Sequence, residues 1–212
     1  MMNQYFKEDL FSEERREHAR SNKLPNITRF GNTRMLFKIY WKNGVSREFF
    51  IPAIRGLLLS MLTSPLRLAE RACYDKRIWQ ETVKQPIYVI GIPRSGTTLL
   101  HDIMSRNASL GYLTALEVVN PESFILSKTI LSRIIKRSLP TARPMDNVKL
   151  LLDSPQEEGF VMMNMTPAFR HCLMFPKKIR HYVQKYTTRD FTKKEERAWK
   201  QNYEYLLKKL TY

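Results

Sequence analysis

One stretch constrains the fold of this chain more than any other: the apolar run Pro86-Ile87-Tyr88-Val89-Ile90 followed by Gly91-Ile92-Pro93-Arg94-Ser95-Gly96-Thr97-Thr98. A short apolar run bounded by a proline and a glycine suits a buried strand of a parallel sheet. After the glycines, Leu99, Leu100, Ile103 and Met104 form one helical stripe, which the polar Ser105-Arg106-Asn107 ends. The order strand, glycine loop, helix predicts an α/β fold. Two glycines five apart followed by a hydroxyl residue have the spacing of a phosphate-binding loop. Glycines let the backbone close around an anion, and the following helix offers unpaired N–H groups and the positive end of its dipole. A nucleotide triphosphatase places a lysine after the second glycine, to handle the terminal phosphates with magnesium. Here position 97 is Thr, and the cation sits inside the loop as Arg94. A terminal sulfuryl group carries less charge and is manageable by hydrogen-bond donors and a cation without metal.

Charge agrees with an anionic ligand. Lys and Arg total 36 against 20 Asp and Glu in 212 residues, a formal net charge of +16, which points to a nucleotide, a phosphorylated or sulfated ligand, nucleic acid or an acidic membrane face. The 43% hydrophobic content excludes wholesale disorder. Two cysteines, Cys73 and Cys172, exclude a disulfide scaffold and favour a reducing compartment. The four scattered histidines give no metal signature. The opening Met1 to Asp9 carries acids where a secretory signal needs an apolar run. In the most apolar stretch, Phe49 to Leu68, Pro52, Arg55, Pro65 and Arg67 argue against a spanning helix. These features describe a soluble, cytoplasmic protein.

Residues 1–84 read as a helical N-terminal region, with an acidic-basic opening through Arg20 and a loop at residues 22–26. Within it Ile54, Leu57, Leu58, Met61 and Leu62 recur at helical spacing, with Arg55 off the stripe. Packing of that stripe on the rest of the fold is the plainer expectation. The sharper one is a basic apolar segment, 49–68, lying on a membrane surface or lining an acceptor entrance. Past Pro121, the residues Phe124, Ile125, Leu131, Ile134 and Ile135 mark another helix. Ser154-Pro155-Gln156-Glu157 has the grammar of a capping box with proline at the first helical position, and Thr192 to Glu195 repeats the box before a final helix striped by Trp199, Tyr203, Leu206, Leu207 and Leu210. No second strand matches the quality of residues 87–90, so the sequence reads as cut short.

Tyr88 to His101, with its Pro-Arg-Ser-Gly-Thr-Thr-Leu-Leu-His core, resembles the 5′-phosphosulfate loop of sulfotransferases that use 3′-phosphoadenosine 5′-phosphosulfate (PAPS), most of all the branch common in bacteria. The Leu-Thr-x-x-Glu pattern at Leu113 to Glu117, and Arg143-Pro144-Met145-Asp146-Asn147 running into Asp153 to Glu158, extend the resemblance over roughly residues 85–175. It implies a P-loop-type three-layer α/β sulfotransferase core, with residues 85–212 as its first half, and sulfuryl transfer from PAPS to a hydroxyl or amine acceptor without metal. By position, Pro93, Arg94, Ser95, Gly96, Thr97 and Thr98 correspond to the donor-binding loop, with Arg94 also catalytic. The family's second half carries an Arg-Asp-Pro type segment and a serine that grip the 3′-phosphate; Arg189-Asp190-Phe191 is a superficial echo of it. The chain therefore resembles the N-terminal half of such an enzyme.

Glu117, about twenty residues past the loop, stands where several members place a catalytic carboxylate or histidine, and is the candidate general base. A solvated loop glutamate is the competing reading. His101 reads better as a packed helical histidine, Glu157 as a capping residue, and Glu158 as a side chain that could face an acceptor cleft. Lys177, Lys178, Arg180, His181, Tyr182, Lys185, Tyr186 and Arg189 mix bases with aromatics. A solvated basic edge explains them more simply than nucleic acid, and a small-molecule, glycan or lipid acceptor is the expected partner. The alternatives are a P-loop nucleotide-dependent phosphotransferase and a non-catalytic basic binding module.

Overall fold

A computed structural model of the protein describes residues 32–92, 95–138, 151–167, 171 and 175–212. The proposed opening helix through Arg20, the loop residues Pro93 and Arg94, the Arg143 to Asn147 motif and Cys172 lie outside them, as do the side chains of Leu131, Ile134 and Ile135. The described α-helices are α1 (Thr33–Asn43), α2 (Phe50–Leu62), α3 (Ser64–Gln80), α4 (Thr97–Ser105), α5 (Ala115–Val119), α6 (Phe124–Ser138), α7 (Glu158–Met165), α8 (Ile179–Thr187) and α9 (Lys193–Thr211).

Several boundaries follow local chemistry. Asn32 caps α1 by accepting the Met35 N–H at 3.2 Å, and Gly44 ends it at φ +74°. Pro65 occupies the first turn of α3, where its missing N–H costs nothing. The expected capping box before α9 is present: Thr192 Oγ1 accepts the Glu195 N–H at 3.2 Å, and Glu195 Oε2 accepts the Thr192 N–H at 3.0 Å.

The main core gathers Ile78 of α3, Leu113, Val118 of α5, Val161, Met162 and Met165 of α7, and Tyr205 and Leu206 of α9. A smaller cluster of Met35, Leu36 and Ile39 in α1 packs with Leu57 and Phe175. Charged residues also enter the interior. Glu70 and Lys209 form an ion pair with both side chains fully buried, and Glu122 accepts from Arg71 at 2.7 Å and lies 3.6 Å from Arg67.

The α/β three-layer expectation is overturned: the described residues are helical and contain no strand. Residues 86–90 carry no strand pairing, and Ile87 and Ile90 are 62% and 91% exposed. A strand is held by N–H and C=O partners on a neighbour, and no described segment supplies them to this run. The β-type pairing that does occur is an isolated bridge between Thr114 and Pro155. It also corrects the helix start expected at Ser154. The Ala115 and Gln156 N–H groups donate to the Ser154 and Leu113 carbonyls at 3.1 and 2.8 Å, so residues 154–156 spend their backbone groups across the bridge. Helix α7 begins at Glu158, with Glu157 as its N-cap residue and no side-chain cap bond. Ser154 Oγ instead accepts the Leu151 N–H at 2.9 Å.

Two expectations for the apolar N-terminal segment also change. Most of the α2 stripe does not pack on the fold: Leu57 packs on the smaller cluster, but Ile54, Leu58, Met61 and Leu62 are 42–74% exposed, whereas Gly56 and Ser60 are buried. Despite its prolines and arginines, the run Arg47–Gln80 contains an 18-residue window of mean hydropathy 1.5, long and apolar enough to cross a membrane by length and composition.

Candidate functional site

The glycine loop folds back on itself. A Cβ added to Gly91 would meet Thr97 Cγ2 at 2.6 Å and Ser95 Oγ at 2.7 Å, closer than real side chains approach. Only glycine fits there without a shift of those two residues. Gly96 holds φ +86°, a left-handed conformation that costs other L-residues roughly 1–2 kcal/mol. The Ser95 N–H closes a turn onto the Ile92 carbonyl at 3.2 Å, and the Leu100 N–H reaches back to the Gly96 carbonyl at 3.0 Å. Gly96 is the N-cap residue of α4 and offers no side-chain cap. The first-turn N–H groups of a helix have no intrahelical acceptor, so the loop ends in backbone donors at the positive end of a helix dipole.

Ser95 and Thr98 are exposed and Thr97 is half-buried beside Gly91; with Gly96 these are the four of the six loop residues singled out in the sequence that the structure describes. No residue of α4 is buried, and Leu99, Leu100 and Ile103 are 49–65% exposed. The helix thus lies on the surface with its apolar stripe outward. His101 is half-buried on it and has no hydrogen-bond partner among the described residues, unlike the bonded, packed histidine expected.

Glu117 has a structural task that the sequence reading missed. It is the third residue of α5, in a capping box with Thr114: its Oε2 accepts the Thr114 N–H at 2.7 Å, while its own N–H donates to Thr114 Oγ1 at 3.4 Å. The signal was in the sequence, since Thr114-x-x-Glu117 is itself a box. Its flanking residues Leu116 and Val118 are buried, and the glutamate is half-buried. Among the described residues no hydrogen bond joins Glu117 to the glycine loop. Glu158 opens α7 and is exposed.

An open cleft of about 450 Å³ lies beside the segment that leads into the loop, between residues 81–88 and α9. Tyr88, Trp199, Tyr203, Lys200 and Lys208 are among its lining residues. Ser95, Gly96, Thr97, Thr98 and Glu117 are not. Trp199 and Tyr203 stack with ring centroids 5.0 Å apart. Burial, and then a hydrogen bond with Tyr88, push the Tyr203 phenol well above its ordinary pKa, so it stays protonated at neutral pH. This aromatic cleft was not legible beforehand, because Tyr88 read as an interior strand residue and Trp199 and Tyr203 as a core stripe. No group of three His, Cys, Asp or Glu side chains suited to a metal occurs among the described residues.

No family model matches the chain, and no solved structure matches it. Two curated relatives do, from Mycobacterium bovis and Mycobacterium tuberculosis, each named omega-hydroxy-beta-dihydromenaquinone-9 sulfotransferase Stf3. Each is 28% identical over 150 residues, which cover 70% of this chain and 38% of the relative. The chain thus spans well under half the length of the relatives it matches. The resemblance carried by the loop is therefore joined by one over most of the chain, and the proteins it resembles are sulfotransferases.

Proposed function

We propose that this chain carries the donor-binding part of a PAPS-dependent sulfotransferase acting on a hydroxyl or amine acceptor. The observation that carries the reading is the loop: Gly91 pressed against Ser95 and Thr97, Gly96 left-handed, and an uncapped helix N-terminus immediately after. Such a cradle suits a sulfated or phosphorylated group. Thr97, where a triphosphatase needs lysine, favours a sulfuryl donor over a magnesium-bound triphosphate. The relatives' name specifies an omega-hydroxy compound, which favours a hydroxyl on a lipid-like acceptor.

When bound, PAPS supplies the sulfuryl group: the acceptor oxygen bonds to sulfur, the bond from sulfur to the bridging oxygen breaks, and 3′-phosphoadenosine 5′-phosphate (PAP) leaves. Backbone donors of Gly96, Thr97 and Thr98, with the hydroxyls of Ser95, Thr97 and Thr98, hold the phosphosulfate, and Arg94 offsets charge on the bridging oxygen. Glu117 takes the acceptor's proton on Oε1 while Oε2 keeps the Thr114 N–H. The cap then holds the carboxylate in one orientation.

Calorimetric titration with PAP and, separately, with ATP and magnesium tests the reading. PAP binding that Gly91→Ala weakens is expected. Binding of magnesium ATP without PAP identifies a phosphotransferase, and binding of neither identifies a non-catalytic module; both overturn the proposal. In a protein of the relatives' full length, Arg94→Ala is expected to lower turnover ~10²-fold or more, the scale for losing one preorganised donor, with a smaller effect on PAP affinity. Equal losses would make Arg94 a ground-state binding residue.

A further inference from the structure

Helix α2 turns its apolar side to solvent and its polar side inward. The buried side is Gly56, Ser60 and Thr63, continued into α3 by Arg67. Polar contacts hold it: Ser60 Oγ lies 2.7 Å from Thr33 Oγ1, Arg67 Nη1 donates to Thr63 Oγ1 at 3.1 Å, and Arg67 Nη2 donates to Thr33 Oγ1 at 2.8 Å. A Cβ at Gly56 would sit 3.7 Å from the Tyr40 hydroxyl, so α1 packs closely on this side. Half a turn around the helix, Ile51, Ile54, Leu58, Met61 and Leu62 are 62%, 42%, 53%, 54% and 74% exposed. Their three- and four-residue spacing makes one continuous face, where a surface helix of a globular protein carries its polar residues.

The segment that carries that face is basic. From Thr33 to Leu62 the chain has five bases, Arg34, Lys38, Lys42, Arg47 and Arg55, against one acid, Glu48, and all six are exposed. Phe37 and Trp41, 54% and 83% exposed, lie on the side of α1 away from its buried Met35, Leu36 and Ile39. Apolar surface, exposed aromatic rings and a surplus of Lys and Arg are the combination that settles at the headgroup level of a bilayer. A second copy is a poorer match, since apposing two such faces brings like charges together. Spanning is a poorer match too. The 13 residues of α2 extend about 20 Å at 1.5 Å each, short of the ~30 Å hydrocarbon layer. Beyond them, Arg67 and Glu70 of α3 are buried in the protein.

We propose that the outward face of α2, with Phe37 and Trp41, docks in the plane of an anionic lipid bilayer, the flanking bases meeting acidic headgroups. The proposal does not rest on the sulfotransferase reading, because it involves neither the glycine loop nor Glu117.

Flotation of the full chain with vesicles tests it, using phosphatidylcholine alone and phosphatidylcholine containing about one-third phosphatidylglycerol, a surface that attracts Lys and Arg. The expected result is binding to the anionic vesicles that exceeds binding to the neutral ones and falls as salt is raised. Ile54→Ser/Leu58→Ser/Met61→Ser is expected to weaken that binding about tenfold or more, since it removes buried apolar area. Lys42→Glu/Arg55→Glu, which leaves the apolar face whole, is expected to weaken it on anionic vesicles and serves if the triple variant does not fold, as read by circular dichroism. Release of the bound chain by alkaline carbonate supports in-plane docking, and resistance to it overturns that geometry. Undiminished binding by both variants, or equal binding to both vesicles, overturns the proposal. So does absence of binding; light scattering that shows a dimer, dispersed by the triple variant, then names a second copy as the occupant.

Discussion

Lys209 of α9 and Glu70 of α3 meet across the interior as an ion pair with neither side chain exposed. Around them the remaining polar capacity is filled: the Lys209 ammonium donates to the Pro121 carbonyl at 2.8 Å, and Glu70 Oε2 accepts the Leu126 N–H at 2.7 Å. The ammonium also sits 4.1 Å from the Phe124 ring centroid. Burial pulls the lysine's pKa down, and the Glu70 carboxylate acts against that pull. One pair thus ties α9 to α3 and to the start of α6. Removing one partner strands a buried charge, so Lys209→Met or Glu70→Leu alone is expected to cost ~3–5 kcal/mol, and the double substitution less than their sum. Chemical denaturation of the three variants checks this. Additive losses would show that the pair is not coupled.

The capping box separates two roles for Glu117. Glutamine retains an oxygen for the Thr114 N–H but cannot take a proton, whereas alanine loses both functions. Glu117→Gln is therefore expected to leave stability nearly unchanged, and Glu117→Ala to lower it by about 1 kcal/mol. If Glu117 is the base, Glu117→Gln in a full-length protein also lowers turnover ~10²-fold or more with PAPS affinity retained. Near-normal turnover would leave the residue as a cap.

The two loop glycines are expected to fail differently. At Gly91 the obstacle is the side chains of Ser95 and Thr97, so Gly91→Ala deforms the anion cradle and weakens PAP binding. At Gly96 no atom lies within 4 Å of an added Cβ, and the obstacle is the positive φ alone, worth roughly 1–2 kcal/mol. Gly96→Asn, which tolerates that conformation, is expected to restore most of what Gly96→Ala loses. Thermal unfolding with and without PAP distinguishes the two sites. Rescue at Gly91 by Asn would contradict the steric account.

Acid sensitivity is expected at Glu195. Burial raises its pKa, but the hydrogen bond from Lys185 at 2.6 Å and those from Thr192 outweigh it, so the carboxyl lies below its ordinary 4.5. A carboxylate with a folded pKa below its unfolded one stabilises the fold fully above about pH 4.5, and that contribution disappears as pH falls through the folded value. Its side chain is 41% exposed, so solvent screening keeps the effect small. Glu195→Gln is expected to reduce the fall in melting temperature below pH 4.5. An identical acid profile in the variant would remove Glu195 as a contributor.

The sequence by itself determined the features whose causes lie within a few residues. Gly91 and Gly96 announced a loop that only glycine can close, Thr192 and Glu195 announced the start of α9, and Thr114 and Glu117 held a box that was readable but was passed over. Tertiary structure decided what depends on a partner elsewhere in the chain. Residues 86–90 have the composition of a strand, yet strand formation needs a neighbour's hydrogen bonds, and none is offered by the described residues. Ser154 to Glu157 have a helix-start pattern, yet the Ser154 carbonyl and the Gln156 N–H are claimed by Ala115 and Leu113. The α2 stripe has the period of a packed face, yet periodicity does not say which side of a helix is covered. Ser60, Thr63 and Arg67 found oxygen and nitrogen partners on α1 and α3, so the polar side went inward. The pairing of Arg67 with Glu122 and of Glu70 with Lys209 had no sign in the sequence, because contact between residues more than fifty positions apart leaves no local trace.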